Sequence, residues 1–125
     1  MKITKFEDIE SWKEARILVN EIYSFTQNGK ISKNFGLRDQ VQRAAVSIMS
    51  NIAEGFDSGT NKSFVVFLNY AYRFVSEVQS LLYVMLDAQY IVQEKFEKLY
   101  NRTGKIKNLI GGFIQYLKKN NKPNS

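Results

Sequence analysis

The chain has no cysteine, no histidine and a single proline among its 125 residues. The missing cysteine excludes disulfides, thiolate metal sites and cysteine nucleophiles, and fits a reducing cytoplasm. The missing histidine removes both the commonest zinc ligand and the commonest general base. The expectation is therefore a protein with no metal, no cofactor and no enzymatic activity. Pro123 lies beyond the last helical segment, so no ring interrupts a helix interior. No apolar run long enough for a signal peptide opens the chain, and no uncharged stretch of about 18 residues follows. These absences point to a soluble, cytoplasmic protein without a membrane role and without an evident small-molecule substrate.

What charge there is lies unevenly. The formal net charge is +6, yet residues 1–92 hold ten Lys or Arg against ten Asp or Glu. The excess falls in residues 93–125, where Lys95, Lys98, Arg102, Lys105, Lys107, Lys118, Lys119 and Lys122 face only Glu94 and Glu97. Such asymmetry is an electrostatic footprint for phosphate backbones, although lysines near a helix C-terminus also interact favourably with the macrodipole. These eight residues are the candidate nucleic-acid contacts.

Apolar spacing predicts four helices, at about residues 11–28, 37–56, 60–89 and 93–119, followed by a basic tail over 118–125. Ser11 and Glu14 have the spacing of a capping box, with Trp12, Ala15, Val19, Ile22 and Tyr23 on one side of the helix that follows. The second helix buries Leu37, Val41, Ala44, Ala45, Ile48, Ile52 and Phe56. Thr60 is the expected N-cap of the third helix. Its seam of Phe64, Phe67, Ala71, Phe74, Val78, Leu81, Met85 and Ala88 steps by three and four residues. Leu68, Val75, Leu82 and Leu86 widen that seam, and Val65, Tyr72, Tyr83 and Tyr90 add a second stripe. An arc this broad predicts packing on two sides, one of them against another subunit. The fourth helix carries Phe96, Leu99, Thr103, Ile106, Ile110, Phe113 and Leu117. Its three glycines, Gly104, Gly111 and Gly112, suggest close helix contact, a kink or a mobile end. Short connections favour antiparallel neighbours, so the fold class is all-α, a single-domain antiparallel up-and-down four-helix bundle over residues 1–125.

Within the second helix, polar residues interrupt an otherwise amphipathic pattern. Arg43, Ser47, Asn51 and Glu54 stack along one side of a 3.6-residue helix. Polar groups so aligned need partners or water, which implies either a hydrogen-bonded network or a recognition surface. In the network reading Glu54 and Glu77 seek Arg43, Arg73, Asn51 or tyrosine hydroxyls, and Glu54→Ala or Asn51→Ala weakens the fold by about 1 to 3 kcal/mol. Other motifs are weak. Gly59-Thr60-Asn61-Lys62-Ser63 has the back half of a phosphate-binding loop without its front glycine or preceding strand. A di-metal centre on Glu54 and Glu77 lacks the Glu-x-x-His that such helical sites use, and a carboxylate-pair hydrolase lacks a nucleophile and oxyanion donors.

The run Ser47-Ile48-Met49-Ser50-Asn51-Ile52-Ala53-Glu54-Gly55, preceded by Gln42-Arg43-Ala44-Ala45, resembles the signature of the bundle proteins encoded within 23S rRNA intervening sequences. Phe6, Trp12-Lys13-x-Ala15, Phe35-Gly36-Leu37, Phe67-Leu68 and Glu77 extend the likeness over most of the chain. The resemblance implies a bacterial four-helix bundle assembled as a homopentameric ring with a central opening. Related bundles serve as nucleic-acid-binding accessory factors of diversity-generating retroelements, while the family's molecular function is not established. Arg43, Ser47, Asn51, Glu54, Gly55 and Glu77 match motif positions. The expected function is electrostatic RNA or DNA binding by an oligomer of this chain. The alternative is a structural or protein-interaction module in which the lysines maintain solubility.

Overall fold

The computed structural model describes residues 2–120, in which helices α1 (Glu10–Thr26), α2 (Phe35–Asp57), α3 (Asn61–Asp87) and α4 (Gln93–Lys119) are joined by short turns. Each helix packs on two others, α2 on α1 and α3, α4 on α3 and α1. This is a four-helix bundle, and no strand occurs among the described residues. Leu18, Ile22, Ile48, Ile52, Leu68, Leu82, Leu99, Ile106 and Ile110 are wholly buried along its axis. Burying each such side chain contributes about 1.5 to 3 kcal/mol, which makes this column the main support of the fold.

Helix boundaries follow capping chemistry. Asn34 accepts from the Leu37 amide, so α2 starts before Gly36 rather than after it. Thr60 caps α3 as its spacing predicts, accepting from the Ser63 amide. Ser11 does not cap α1. The chain enters through a 3-10 turn over Phe6–Asp8 whose last backbone bond runs from the Ile9 amide to the Phe6 carbonyl, leaving Ile9 in the cap position. The Asp8 carboxylate closes that turn by accepting from the Thr4 and Lys5 amides, bonds that hold its pKa below the usual value. Ser11 becomes the second residue of α1, and Glu14 turns away to α4. At the other end of α3, Gln89 takes a left-handed φ of 62° while Tyr90 donates to the Met85 carbonyl and Gln89 to that of Leu86. This is a Schellman closure, and it ends the helix at Asp87 instead of Gln89.

The core differs from the expected one in detail. Helix α1 buries Ser11, Ala15, Leu18, Ile22 and Thr26, whereas Tyr23 faces out and Trp12 is half-buried against Phe6. Ile114 takes the buried position in α4, with Phe113 half-buried beside it. The two-sided character of α3 has an explanation within one chain, since α2 and α4 flank it. Tyr83 packs on Phe96 and Tyr100 of α4, and the Tyr100 hydroxyl beside it pushes the Tyr83 pKa upward.

The glycines of α4 neither break it nor admit a neighbour. The helix is continuous through Gly104, Gly111 and Gly112, and a Cβ on any of them would meet nothing within 4 Å. The close contact lies at Gly55, where a Cβ would stand 2.7 Å from the Phe67 Cβ and 2.8 Å from the Phe64 ring. Gly55 thus lets α2 reach α3, which gives this motif position a packing role.

Candidate nucleic-acid interface

The basic residues of α4 do not share one face. At steps of three and four residues, Lys95, Lys98, Arg102 and Lys105 form a stripe along the α1 side of α4. Within it, Arg102 is held inside the bundle: its Nη1 lies 2.7 Å from Glu14 and its Nε 2.5 Å from Glu21, both on α1. Lys105 reaches the other oxygen of Glu14 at 3.3 Å. The arginine and both glutamates are largely covered, with 24%, 12% and 16% of their side chains exposed, so the cluster joins α1 to α4. Lys107 lies on the other side, its Nζ 5.0 Å from the Tyr72 ring of α3. Lys118 and Lys119 are exposed in the last turn, where their charge complements the helix dipole. Lys122, with the rest of residues 121–125, lies outside the described residues.

Lys95 and Lys98 stand differently. They line a groove of about 670 Å³ between α1 and α4, together with Asn20, Asn28, Phe25 and Tyr90. No ion pair engages either lysine among the described residues. Glu21 also borders the groove, but its carboxylate is taken by Arg102. Tyr90 is anchored through its hydroxyl, which accepts from the side-chain Nδ2 of Asn34 at 3.1 Å. The groove thus offers two cationic groups, side-chain amides and two aromatic surfaces. These are the groups that contact phosphates and unpaired bases.

The motif stripe on α2 turns outward. Arg43 and Glu54 are exposed, and among the described residues neither forms an ion pair. Asn51 is half-buried and donates to the Ser47 carbonyl of its own helix at 2.8 Å, while Gln40 donates to Glu77 at 3.3 Å. The network reading is therefore not realised within a single chain. Glu54 and Glu77 also form no carboxylate pair. The Glu77 partner, Gln40, lies fourteen residues before Glu54 on α2, about 21 Å of helix rise. An outward stripe of α3 adjoins this surface: Val66, Tyr70, Arg73, Glu77 and Val84 recur at helical spacing. Val66, Tyr70 and Val84 are exposed, and Arg73 lies over the Tyr70 ring.

The polar pairs that do cross the core escaped sequence reasoning. Thr26 and Thr103 are wholly buried, each hydroxyl donating to its own helix backbone and accepting from a glutamine of a neighbouring helix. Gln42 on α2 serves Thr26 at 2.9 Å, and Gln79 on α3 serves Thr103 at 3.1 Å. Threonines on apolar faces were the available signal, but their glutamine partners lie in other helices.

Comparison with known proteins agrees with this architecture. The sequence profile of the 23S rRNA-intervening sequence protein family matches residues 7–112. Among solved structures, a protein of unknown function from the S23 ribosomal protein family of Bacteroides thetaiotaomicron VPI-5482 superimposes with a TM-score of 0.78 at 23% identity. The match covers 84% of this chain and 95% of that one. No curated protein matches the chain.

Proposed function

Because the chain belongs to the 23S rRNA-intervening sequence protein family, we propose that it is a non-enzymatic, oligomeric nucleic-acid-binding protein of the bacterial cytoplasm, with Lys95 and Lys98 as its principal contacts. The observation that carries this reading is the α1–α4 groove, in which both ammonium groups accompany amides and aromatic rings. Lys107, Lys118 and Lys119 extend the positive field, whereas Arg102 and Lys105 contribute less because glutamates already neutralise them. Binding of this kind is dominated by counterion release and reads sequence weakly. The outward stripe of α3 supports self-association, and the proposed assembly is a homopentamer. Repetition of the groove in a ring would convert modest single-site affinity into avidity.

Fluorescence anisotropy with single-stranded RNA, duplex RNA and duplex DNA tests the proposal. At about 50 mM salt the protein should bind, and affinity should fall steeply by about 200 mM. The double reversal Lys95→Glu and Lys98→Glu should abolish binding with the oligomer mass unchanged. Absence of binding at low salt would refute the reading. A protein-interaction module is the second reading, favoured by exposed Val66, Tyr70 and Val84 on α3. In that case the charge reversal leaves partner capture unaltered, whereas Tyr70→Glu removes it.

A further inference from the structure

The connection from α1 to α2 borders the groove and carries groups that the groove itself does not contain. It is a 3-10 turn over Lys30–Lys33, closed by the Ser32 amide and hydroxyl, which both donate to the Gly29 carbonyl, and seated by the buried side chain of Ile31. Both of its ends are fixed at the groove. Gly29, at a left-handed φ of 72°, lines the groove just before the turn. Just after it, Asn34 holds the Tyr90 hydroxyl through Nδ2 while its Oδ1 accepts from the Leu37 amide. Side chains three residues apart eclipse in a 3-10 turn, so Lys30 and Lys33 project from one edge. Neither forms an ion pair among the described residues, and no acid occurs in the sequence between Glu21 and Asp39.

The residue after Asn34 is Phe35, at the first position of α2 and 63% exposed. A phenyl ring has no polar edge to hydrate, so leaving it in water forgoes the stability that burial would give. One of its faces is already occupied. The guanidinium carbon of Arg38 lies 4.8 Å from the ring centre, held there by Nη1 donating to the Ser32 carbonyl at 3.0 Å and Nε donating to Asp39 at 3.1 Å. Asp39 neutralises Arg38, and the free positive charge beside the ring therefore belongs to Lys30 and Lys33. The ring is backed on one face and open to water on the other.

An aromatic face beside unpaired ammonium groups is the combination that holds single strands, the cations taking phosphates and the ring taking a base. Inside a duplex both faces of a base are covered by its neighbours, so only an unpaired base has a face to offer. Resting on the groove reading above, we propose that Phe35 is a stacking platform for an unpaired base of single-stranded RNA or DNA, whose phosphates run from Lys95 and Lys98 in the groove to Lys30 and Lys33 on the turn.

Fluorescence anisotropy on the full chain at about 50 mM salt tests this with three labelled probes: a single strand of about ten nucleotides, the same strand made abasic throughout, and a duplex. The parental chain should bind the base-bearing strand more tightly than the abasic one. Phe35→Ala should weaken the base-bearing strand about 5- to 20-fold and leave the abasic strand and the duplex unchanged, whereas Phe35→Trp should keep the parental affinity. Lys30→Glu with Lys33→Glu should weaken both single strands alike, because those contacts go to phosphate. Equal affinity of the parental chain for base-bearing and abasic strands, or a Phe35→Ala effect of the same size on both, overturns the platform while leaving the groove reading intact. If Phe35→Ala lowers the oligomer mass in light scattering, the ring is a subunit contact and the proposal fails. A Lys95→Glu, Lys98→Glu chain that still binds the base-bearing strand through Phe35 overturns the groove reading instead, and no binding of any probe overturns both.

Discussion

The contact between α2 and α3 and the contact between α1 and α4 are built from opposite materials. At the first, the backbone of Gly55 leaves no room for a side chain against Phe67 and Phe64. At the second, Arg102 bridges Glu14 and Glu21 through long polar side chains, with Lys105 completing the cluster. Apolar close approach fixes a distance and tolerates almost no added volume. A charged bridge fixes a register and tolerates movement, because flexible stems absorb small shifts. The difference explains why the open groove lies on the α1–α4 side, where separation is set by reach rather than by contact.

Adding one carbon at Gly55 should break that contrast most strongly. In Gly55→Ala the new methyl would face the Phe67 Cβ, which is tied to its own backbone and cannot rotate aside. Overpacking of this sort costs about 1 to 3 kcal/mol, and the upper part of that range is expected. Urea denaturation measures it directly; a loss below about 0.5 kcal/mol would show that α2 and α3 separate freely.

On the other side, Arg102→Met leaves Glu14 and Glu21 largely covered with their shared cation gone. Removing one partner of a fully buried pair costs about 3 to 5 kcal/mol, and partial exposure here reduces the expectation to about 1 to 2. Neutralising the acids in the same background, with Glu14→Gln and Glu21→Gln, should recover most of that loss. If the triple variant is no more stable than Arg102→Met, uncompensated charge is not the cause.

The glycines of α4 supply the control for Gly55. Gly112→Ala should stabilise the protein by about 0.5 to 1 kcal/mol, since the site is open and alanine has the higher helix propensity. Opposite signs at Gly55 and Gly112 in thermal melts would establish that the contrast depends on surroundings, not on residue type. Two destabilisations would contradict it.

Much of this was legible in the chain. Four helices, their order and most of the apolar columns follow from spacing, because period and burial are local properties. The Thr60 cap was legible for the same reason. Ser11 was misleading because a capping box presumes that the helix starts there, and the preceding 3-10 turn carries the start to Glu10 instead. Gly55 and the α4 glycines could not be told apart, since the difference lies in what stands opposite. The basic excess in α4 was visible, but not that Arg102 and Lys105 turn to α1 while Lys95 and Lys98 do not. That depends on acids more than 80 positions away for Arg102.

The smallest stability effect is expected on the motif stripe. Glu54 is exposed and no ion pair engages it among the described residues, so Glu54→Ala should leave the unfolding free energy of one chain within about 0.5 kcal/mol. This replaces the larger loss that a buried network predicts. Tyr70→Glu on the adjoining α3 stripe should likewise spare the fold of the single chain while placing a charge on the proposed subunit contact. Light scattering in line with size exclusion distinguishes the two surfaces. If the stripes meet another copy, Tyr70→Glu lowers the mass toward that of one chain, and Glu54→Ala makes assembly more dependent on concentration. If both variants keep the parental mass, the oligomer contact lies elsewhere, and the exposed motif residues face a different partner.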